Sequence, residues 1–310
     1  MKAVVLTDWG GAENFTVQEV AKPAITADDV LIEVKAFGVN PADYKTRSGV
    51  APYAKAYSHP IILGWDAAGV VVETGSNVSR FAVGDAVYGM INFPSPAHAY
   101  AEYIAAPEAH LAIKPESLSF EAAAAAPLAA LTALQGLLEH GKLQAGETIL
   151  IQAASGGVGH LAVQIAKAYG SRVIGTASGK NEAFVKSLGA DEFIDYKTTK
   201  VADAVSNVDL VFDCSGADTI FESAKVLKPG GRLISIAYGA MDKVLAERPD
   251  IHAERMLVHT SAADMETISS LISEGKLTIT VQDVLPAERM PQAHQQLESR
   301  HTSGKIVLHF

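Results

Sequence analysis

Residues 147–169, ETILIQAASGGVGHLAVQIAKAY, decide the fold. ETILIQAA (147–154) is a continuous apolar run without alternation, which suits a strand covered on both faces. From Val158 to Tyr169 the apolar residues recur at helical spacing. Between them lies Ala153-Ala154-Ser155-Gly156-Gly157-Val158-Gly159, a turn built of small residues. A strand, a small-residue turn and a helix in this order form the dinucleotide-binding pattern. Small residues let the backbone approach a pyrophosphate, and the new helix offers free N–H groups and the positive end of its dipole. The match to G-x-G-x-x-G is imperfect, because Ala154 stands at the first glycine. Taken without its flanks, the same run is only a tight turn.

Outward from this stretch the alternation continues. RVIGTAS (172–178) reads as a second strand and NEAFVKSLGA (181–190) as a helix. EFIDY (192–196), VDLVFDCSG (208–216) and GRLISIAYG (231–239) add further strands. Strands separated by helical segments imply right-handed βαβ units and a Rossmann-type, doubly wound parallel sheet, an α/β fold. Residues 1–117 differ in texture. VLIEVKAFGV (30–39), GVVVETG (69–75), DAVYGM (85–90) and AYAEYIAA (99–106) are short β-type runs punctuated by Gly, Pro and Asn, a mainly β domain. After residue 259 come a helix (264–274), TITVQDVL, a helix through 286–299 and a closing strand, GKIVLHF.

Composition removes several function classes. The 310 residues are 48% apolar and 19% charged, so the chain is not disordered. A net charge of −10 lacks the electrostatic footprint of a nucleic-acid binder. One cysteine, Cys214, closes no intrachain disulfide and builds no cysteine zinc cluster, which fits a reducing compartment. The N-terminus has no signal-peptide pattern. The longest apolar stretch, near Ala122 to Leu134, is too short for a membrane span and contains Pro127. A soluble, cytoplasmic protein is expected.

The end of the second strand discriminates between cofactors. An NAD site usually places Asp or Glu there to bond the ribose 2′-OH. Thr176-Ala177-Ser178-Gly179-Lys180 contains no acid, whereas a hydroxyl and an ammonium suit a 2′-phosphate. NADPH is therefore expected over NADH, with Lys180 alternatively a solvated lysine at a helix start. Arg172 begins its strand and belongs at the opposite end of the sheet.

Six stretches in order carry a resemblance over nearly the full chain: GVNPADYKTRSG (38–49), ILGWDAAGVV (62–71), VGDAVYG (83–89), AASGGVG (153–159), SLGADEFIDY (187–196) and SGKIVL (303–308). The chain resembles zinc-free medium-chain dehydrogenases/reductases of the quinone oxidoreductase branch, most closely those that reduce quinones or the C=C bond of enals and enones. The resemblance implies a discontinuous GroES-like catalytic domain (1–117 and 260–310) around a Rossmann NADPH-binding domain (118–259). Where zinc-dependent relatives carry ligands, this chain has Asn40, Trp65-Asp66 and Pro127-Leu128, so catalysis without a metal is expected. Asn40 and Thr132 would lie beside the nicotinamide, and Lys45 would stabilise charge on a substrate oxygen. Each has a plainer reading: a turn residue before Pro41, a packing threonine, a surface lysine. Ser155, Gly156, Gly157 and Val158 would hold the pyrophosphate. Ser178, Gly179, Lys180 and Tyr196 would clasp the 2′-phosphate, while Ser215, Ala237, Gly304 and Lys305 lie in loops that line the cofactor. Asp43 and Asp66 would brace loops. Relatives often dimerise through the last nucleotide-domain strand, here around Met256 to His259, so a homodimer is implied. An enoyl-thioester reductase of the same fold, or a non-catalytic NADPH-binding sensor or structural protein, shares the cofactor residues.

Overall fold

The computed structural model of the chain describes residues 1–216 and 219–310. Two compact units emerge: unit 1 is Met1–Leu128, His259–Ser273 and Ile279–Phe310, and unit 2 is Ala129–Val258 and Glu274–Thr278. Unit 1 begins with β1 (Lys2–Leu6), β2 (Phe15–Glu19), β3 (Asp29–Val39), β4 (Ile61–Ile62), β5 (Asp66–Thr74), β6 (Ala86–Met90), β7 (Tyr103–Pro107) and β8 (Leu111–Ile113). Unit 2 holds β9 (Thr148–Ile151), β10 (Arg172–Ala177), β11 (Glu192–Asp195), β12 (Val208–Asp213), β13 (Leu227–Ser235) and β14 (His252–Arg255). The chain then returns to unit 1 for β15 (Val281–Pro286) and β16 (Lys305–His309).

In unit 2 the strand order is β11-β10-β9-β12-β13-β14, all parallel. This is the doubly wound Rossmann order, and the direction of winding switches between β9 and β12. Ile149, Leu150 and Ile151 of β9 are fully buried, as are Leu210, Val211 and Phe212 of β12. Consecutive buried residues mean that neither face of the sheet meets water, so the strands must read as unbroken apolar runs. The crevice for a ligand in such a sheet lies past the carboxyl ends of the strands at the switch point. Gln164, on the helix Gly159–Ala168, accepts from the Thr278 backbone N–H (2.9 Å) and donates to its carbonyl (3.0 Å). That clamp ties Glu274–Thr278 to unit 2 although the segment lies far along the chain.

Unit 1 contains a three-stranded sheet, β2-β1-β4, and a seven-stranded sheet, β15-β16-β3-β5-β6-β8, with β7 also on β3. The tail is built in by antiparallel pairing of β16 with β3, Ile306 opposite Val39. The helix Ala262–Ser273 is held by a 2.8 Å hydrogen bond between Ser269 and Tyr88. The stretch expected as one strand over 99–106 starts its strand only at Tyr103. Its first half pairs elsewhere: Ala99 and Tyr100 donate to Gly64 and Leu63, and Ala101 bridges Ala3. The last parallel strand of unit 2 is His252–Arg255, ahead of the Met256–His259 segment. No helix among the described residues is long and apolar enough to cross a membrane.

Candidate functional site

The glycine-rich turn follows β9. Ala153 has φ 52°, the left-handed region that L side chains rarely adopt. This bend returns the chain so that Ala154 N–H donates to Thr176 O (2.8 Å) and Gly156 N–H to Ala153 O (2.9 Å). A Cβ at Gly159 would stand 2.2 Å from Ala153 O, so only glycine permits the close approach that starts the helix Gly159–Ala168. At Gly156 a Cβ would meet only Ala153 O, at 3.2 Å, leaving the other side of the backbone open.

Beneath the turn is a buried polar chain. Thr176 Oγ1 donates to Gln152 Oε1 (2.5 Å), and Gln152 Nε2 donates to Ser223 Oγ (2.7 Å). All three residues are buried, so each supplies the partner that the others need. Thr176 stands where an NAD site usually has an acid, and its hydroxyl is turned inward. Above it, Asn181 Nδ2 donates to both Ser155 Oγ (3.0 Å) and Ser178 Oγ (3.3 Å). This amide links the pyrophosphate turn to the loop after β10. Sequence reasoning passed over Asn181, whose only signal was an amide at a helix start. Lys180 and Tyr196 are exposed, and Gly179 is exposed beside Lys180. Gly157 and Val158 are half-buried at the helix entrance. Arg172 pairs with Glu192 at the starts of β10 and β11, the end of the sheet opposite the turn.

The loops after β12 and β13 are fixed by Asp213, which is fully buried. Its Oδ1 accepts from the Ser215 N–H (3.1 Å), the Ser215 hydroxyl (2.9 Å) and the Gly216 N–H (3.1 Å). Its Oδ2 accepts from Ser235 Oγ (2.8 Å), which in turn accepts from the Ala237 N–H (3.2 Å). Ser215 and Ala237 are therefore set by one carboxylate that sequence reasoning did not single out. Cys214, between them, has its thiol pushed well up by burial and by the neighbouring Asp213.

In unit 1, Asn40 caps the helix Pro41–Arg47. Asp43 Oδ2 accepts from the Asn40 backbone N–H (2.5 Å), and Asn40 Nδ2 donates to Asp66 Oδ2 (2.9 Å). The other oxygen of Asp66 accepts from the Leu128 N–H (2.9 Å). Lys305 Nζ donates to Asn40 Oδ1 and to Val39 O, and lies 4.0 Å from Asp66. Gly304, with φ 81°, lets the chain pass Thr280 O, from which a Cβ would be 2.4 Å away. Lys305 is thus turned into unit 1, where both carboxylates are fully buried. Burial pushes Asp43 up to about 7 against the opposing Asn40 N–H and the Tyr100 hydroxyl. Burial likewise pushes Asp66 up to about 6 against Lys305, Asn40 and the Leu128 N–H. The Lys305 ammonium is lowered by burial and held up by Asp66 and Asp43. Lys45 is half-buried on the helix Pro41–Arg47, and Thr132 is buried in the helix Pro127–Leu134 of unit 2.

The positions at which zinc-dependent relatives carry ligands hold Asn40, Trp65-Asp66 and Pro127-Leu128. Trp65 is fully buried, donates Nε1–H to Ser95 O (2.8 Å) and packs edge-on against Tyr53 and Phe93. An amide, an indole and an aliphatic side chain are not zinc donors, and the one carboxylate already faces an ammonium. This set does not fit zinc. Among the described residues no group of three His, Cys, Asp or Glu is placed to hold a metal ion.

Comparison with known proteins agrees with this geometry. The family described as "Alcohol dehydrogenase GroES-like domain" matches residues 26–116, and that described as "Zinc-binding dehydrogenase" matches residues 188–308. An Arabidopsis thaliana NADPH-dependent alkenal/one oxidoreductase, chloroplastic, is 36% identical across 100% of this chain and 79% of its own length. The structure of the quinone oxidoreductase from Coxiella burnetii superposes with a TM-score of 0.94 at 36% identity, covering 100% of this chain and 99% of that one. The Escherichia coli quinone oxidoreductase complexed with NADPH gives 0.90 at 28% identity, with full coverage of both chains. The fold and its glycine turn define a medium-chain dehydrogenase/reductase, a superfamily of oxidoreductases. Within that superfamily the chain belongs to the quinone oxidoreductase branch.

Proposed function

We propose that the chain is an NADPH-dependent, zinc-independent oxidoreductase that delivers a hydride to quinones or to the C=C bond of α,β-unsaturated carbonyl compounds. The observation that carries this reading is the turn at the β9–β12 switch point, where Gly159 packs on Ala153 O and Asn181 ties Ser155 to Ser178. These residues fit a phosphorylated dinucleotide: a backbone open at Gly156, the N-terminus of a ten-residue helix, and hydroxyl and ammonium groups after β10. The relatives' names, alkenal/one and quinone oxidoreductase, support the acceptor class. The donor set around Asn40 and Trp65 supports chemistry without zinc.

NADPH, when bound, supplies the hydride. Ser155 to Val158 hold the pyrophosphate with backbone N–H groups, and Ser178, Gly179, Lys180 and Tyr196 receive the 2′-phosphate. Ser215 and Ala237 bound the cofactor loops that Asp213 fixes. Thr132 and Asn40 are assigned to the nicotinamide; the Asn40 amide has one N–H beyond its bond to Asp66. Lys45 stabilises the negative charge that grows on the acceptor's oxygen as its carbon skeleton is reduced. Gly304 and Lys305 shape the same site from below, by bracing Asn40. In domain terms, 1–117 with 260–310 is the catalytic part and 118–259 the nucleotide-binding part.

The test is a spectrophotometric screen of NADPH consumption with p-quinones, 2-alkenals, enones and enoyl thioesters, with bound metal measured on the same sample. Turnover of a quinone or enone without stoichiometric metal is expected. Tight NADPH binding with no turnover across the panel overturns the catalytic reading. Lys45→Ala is expected to lower kcat/KM for enones about 10²-fold, the loss typical of one oxyanion-stabilising donor. A homodimer formed along the open edge at β14, in a reducing compartment such as the cytoplasm, completes the reading.

A further inference from the structure

The loop after β10 contains no acid in sequence, yet the neighbouring strand brings one to it. Asp195 closes β11 and stands opposite Ala177, the last residue of β10. Its Oδ1 accepts from the Lys197 backbone N–H (2.9 Å). Its Oδ2 lies against Gly179: a Cβ built there would be 2.6 Å from that oxygen. Gly179 thus admits the carboxylate into the segment whose Ser178 and Lys180 are assigned to the 2′-phosphate. In dinucleotide folds a carboxylate at this end of the second strand bonds the ribose 2′-OH and disfavours a 2′-phosphate. Geometry can supply that carboxylate from β11 as well as from β10, because parallel neighbours end side by side.

We infer that Asp195 is a specificity-determining residue: its carboxylate accepts from the ribose 2′-OH of NADH and weakens the hold of Ser178 and Lys180 on the 2′-phosphate of NADPH. The chain therefore uses both dinucleotides, and Asp195 sets their ratio. This rests on the dinucleotide reading above and deepens it. The hydrogen bond from Lys197 N–H is the structural share of Asp195, and it falls equally on both cofactors. Only the carboxylate's charge distinguishes them.

The experiment compares NADPH with NADH in wild type and in Asp195→Asn, which keeps an acceptor for Lys197 N–H and removes the charge. Dissociation constants come from quenching of intrinsic fluorescence, and kcat/KM from turnover of one quinone. Wild type is expected to use NADH within about 100-fold of NADPH. Asp195→Asn is expected to raise the NADPH:NADH ratio of kcat/KM about tenfold, by strengthening NADPH and weakening NADH. Asp195→Ser serves as a second variant and moves the ratio the same way. A ratio unchanged within twofold in both variants, while wild type binds NADPH, overturns the inference and leaves the dinucleotide reading standing. Failure of wild type to bind either dinucleotide overturns both.

Discussion

Replacing Lys305 with Met removes the ammonium that faces two fully buried carboxylates, Asp43 and Asp66. At the observed 4.0 Å between Lys305 and Asp66, one pair of unit charges is worth about 4 kcal/mol at an effective dielectric constant of about 20. Loss of one partner from a buried pair costs about 3–5 kcal/mol, because the other charge is left uncompensated. The melting transition of Lys305→Met is therefore expected to fall by about 10 °C, at about 2–4 °C per kcal/mol for a unit of this size. The pH dependence carries a sign. Asp43 and Asp66 titrate in the folded protein at about 7 and about 6, above the 3.8 of an unfolded aspartate. Between those values the folded state holds more protons than the unfolded one, so stability falls as pH rises from about 4 to 7, by about 1.4 kcal/mol per pH unit for each group. Without Lys305 the carboxylates are harder to ionise, so the deficit of the variant is larger at pH 8 than at pH 5. Thermal unfolding followed by near-ultraviolet circular dichroism at both pH values reads this directly. Asp66→Asn added to Lys305→Met should recover most of the loss. A single variant within 1 kcal/mol of wild type at pH 8, or a double variant whose cost is the sum of the two singles, would refute the reasoning.

Gly159→Ala places a methyl group 2.2 Å from Ala153 O and forces the turn open; NADPH affinity is expected to fall at least tenfold by fluorescence titration while the circular dichroism spectrum is retained. Ala153→Gly relieves a side chain held at φ 52°; a gain of up to about 1 kcal/mol in denaturant unfolding is expected, the left-handed penalty of about 1–2 kcal/mol less the entropy that glycine loses. Asp213→Asn leaves Ser235 and Gly216 with a weaker acceptor; the loops of Ser215 and Ala237 loosen, and the KM for NADPH should rise more than kcat changes.

Where the chain's chemistry follows from local order, the sequence was legible. The unbroken apolar runs at β9 and β12 declared a sheet covered on both faces, and the structure has that sheet in Rossmann order. The glycine turn was visible in outline, although the glycine that packing demands is Gly159, and the bend itself is made by Ala153, an alanine that looked unremarkable in sequence. Asn181 and Asp213 carried no pattern, because each acts through partners supplied by loops that lie apart in the chain.

The sequence by itself determined the period of each segment, the position of the turn and the residue types available at its rim, since these depend on near neighbours along the backbone. Only the tertiary structure decided which distant groups share a dielectric. It put Lys305 between Asn40 and Asp66, and it laid the carboxylate of Asp195 against Gly179. Charges act through space and are strengthened by burial, so their consequences appear only once strands far apart in sequence have been brought side by side.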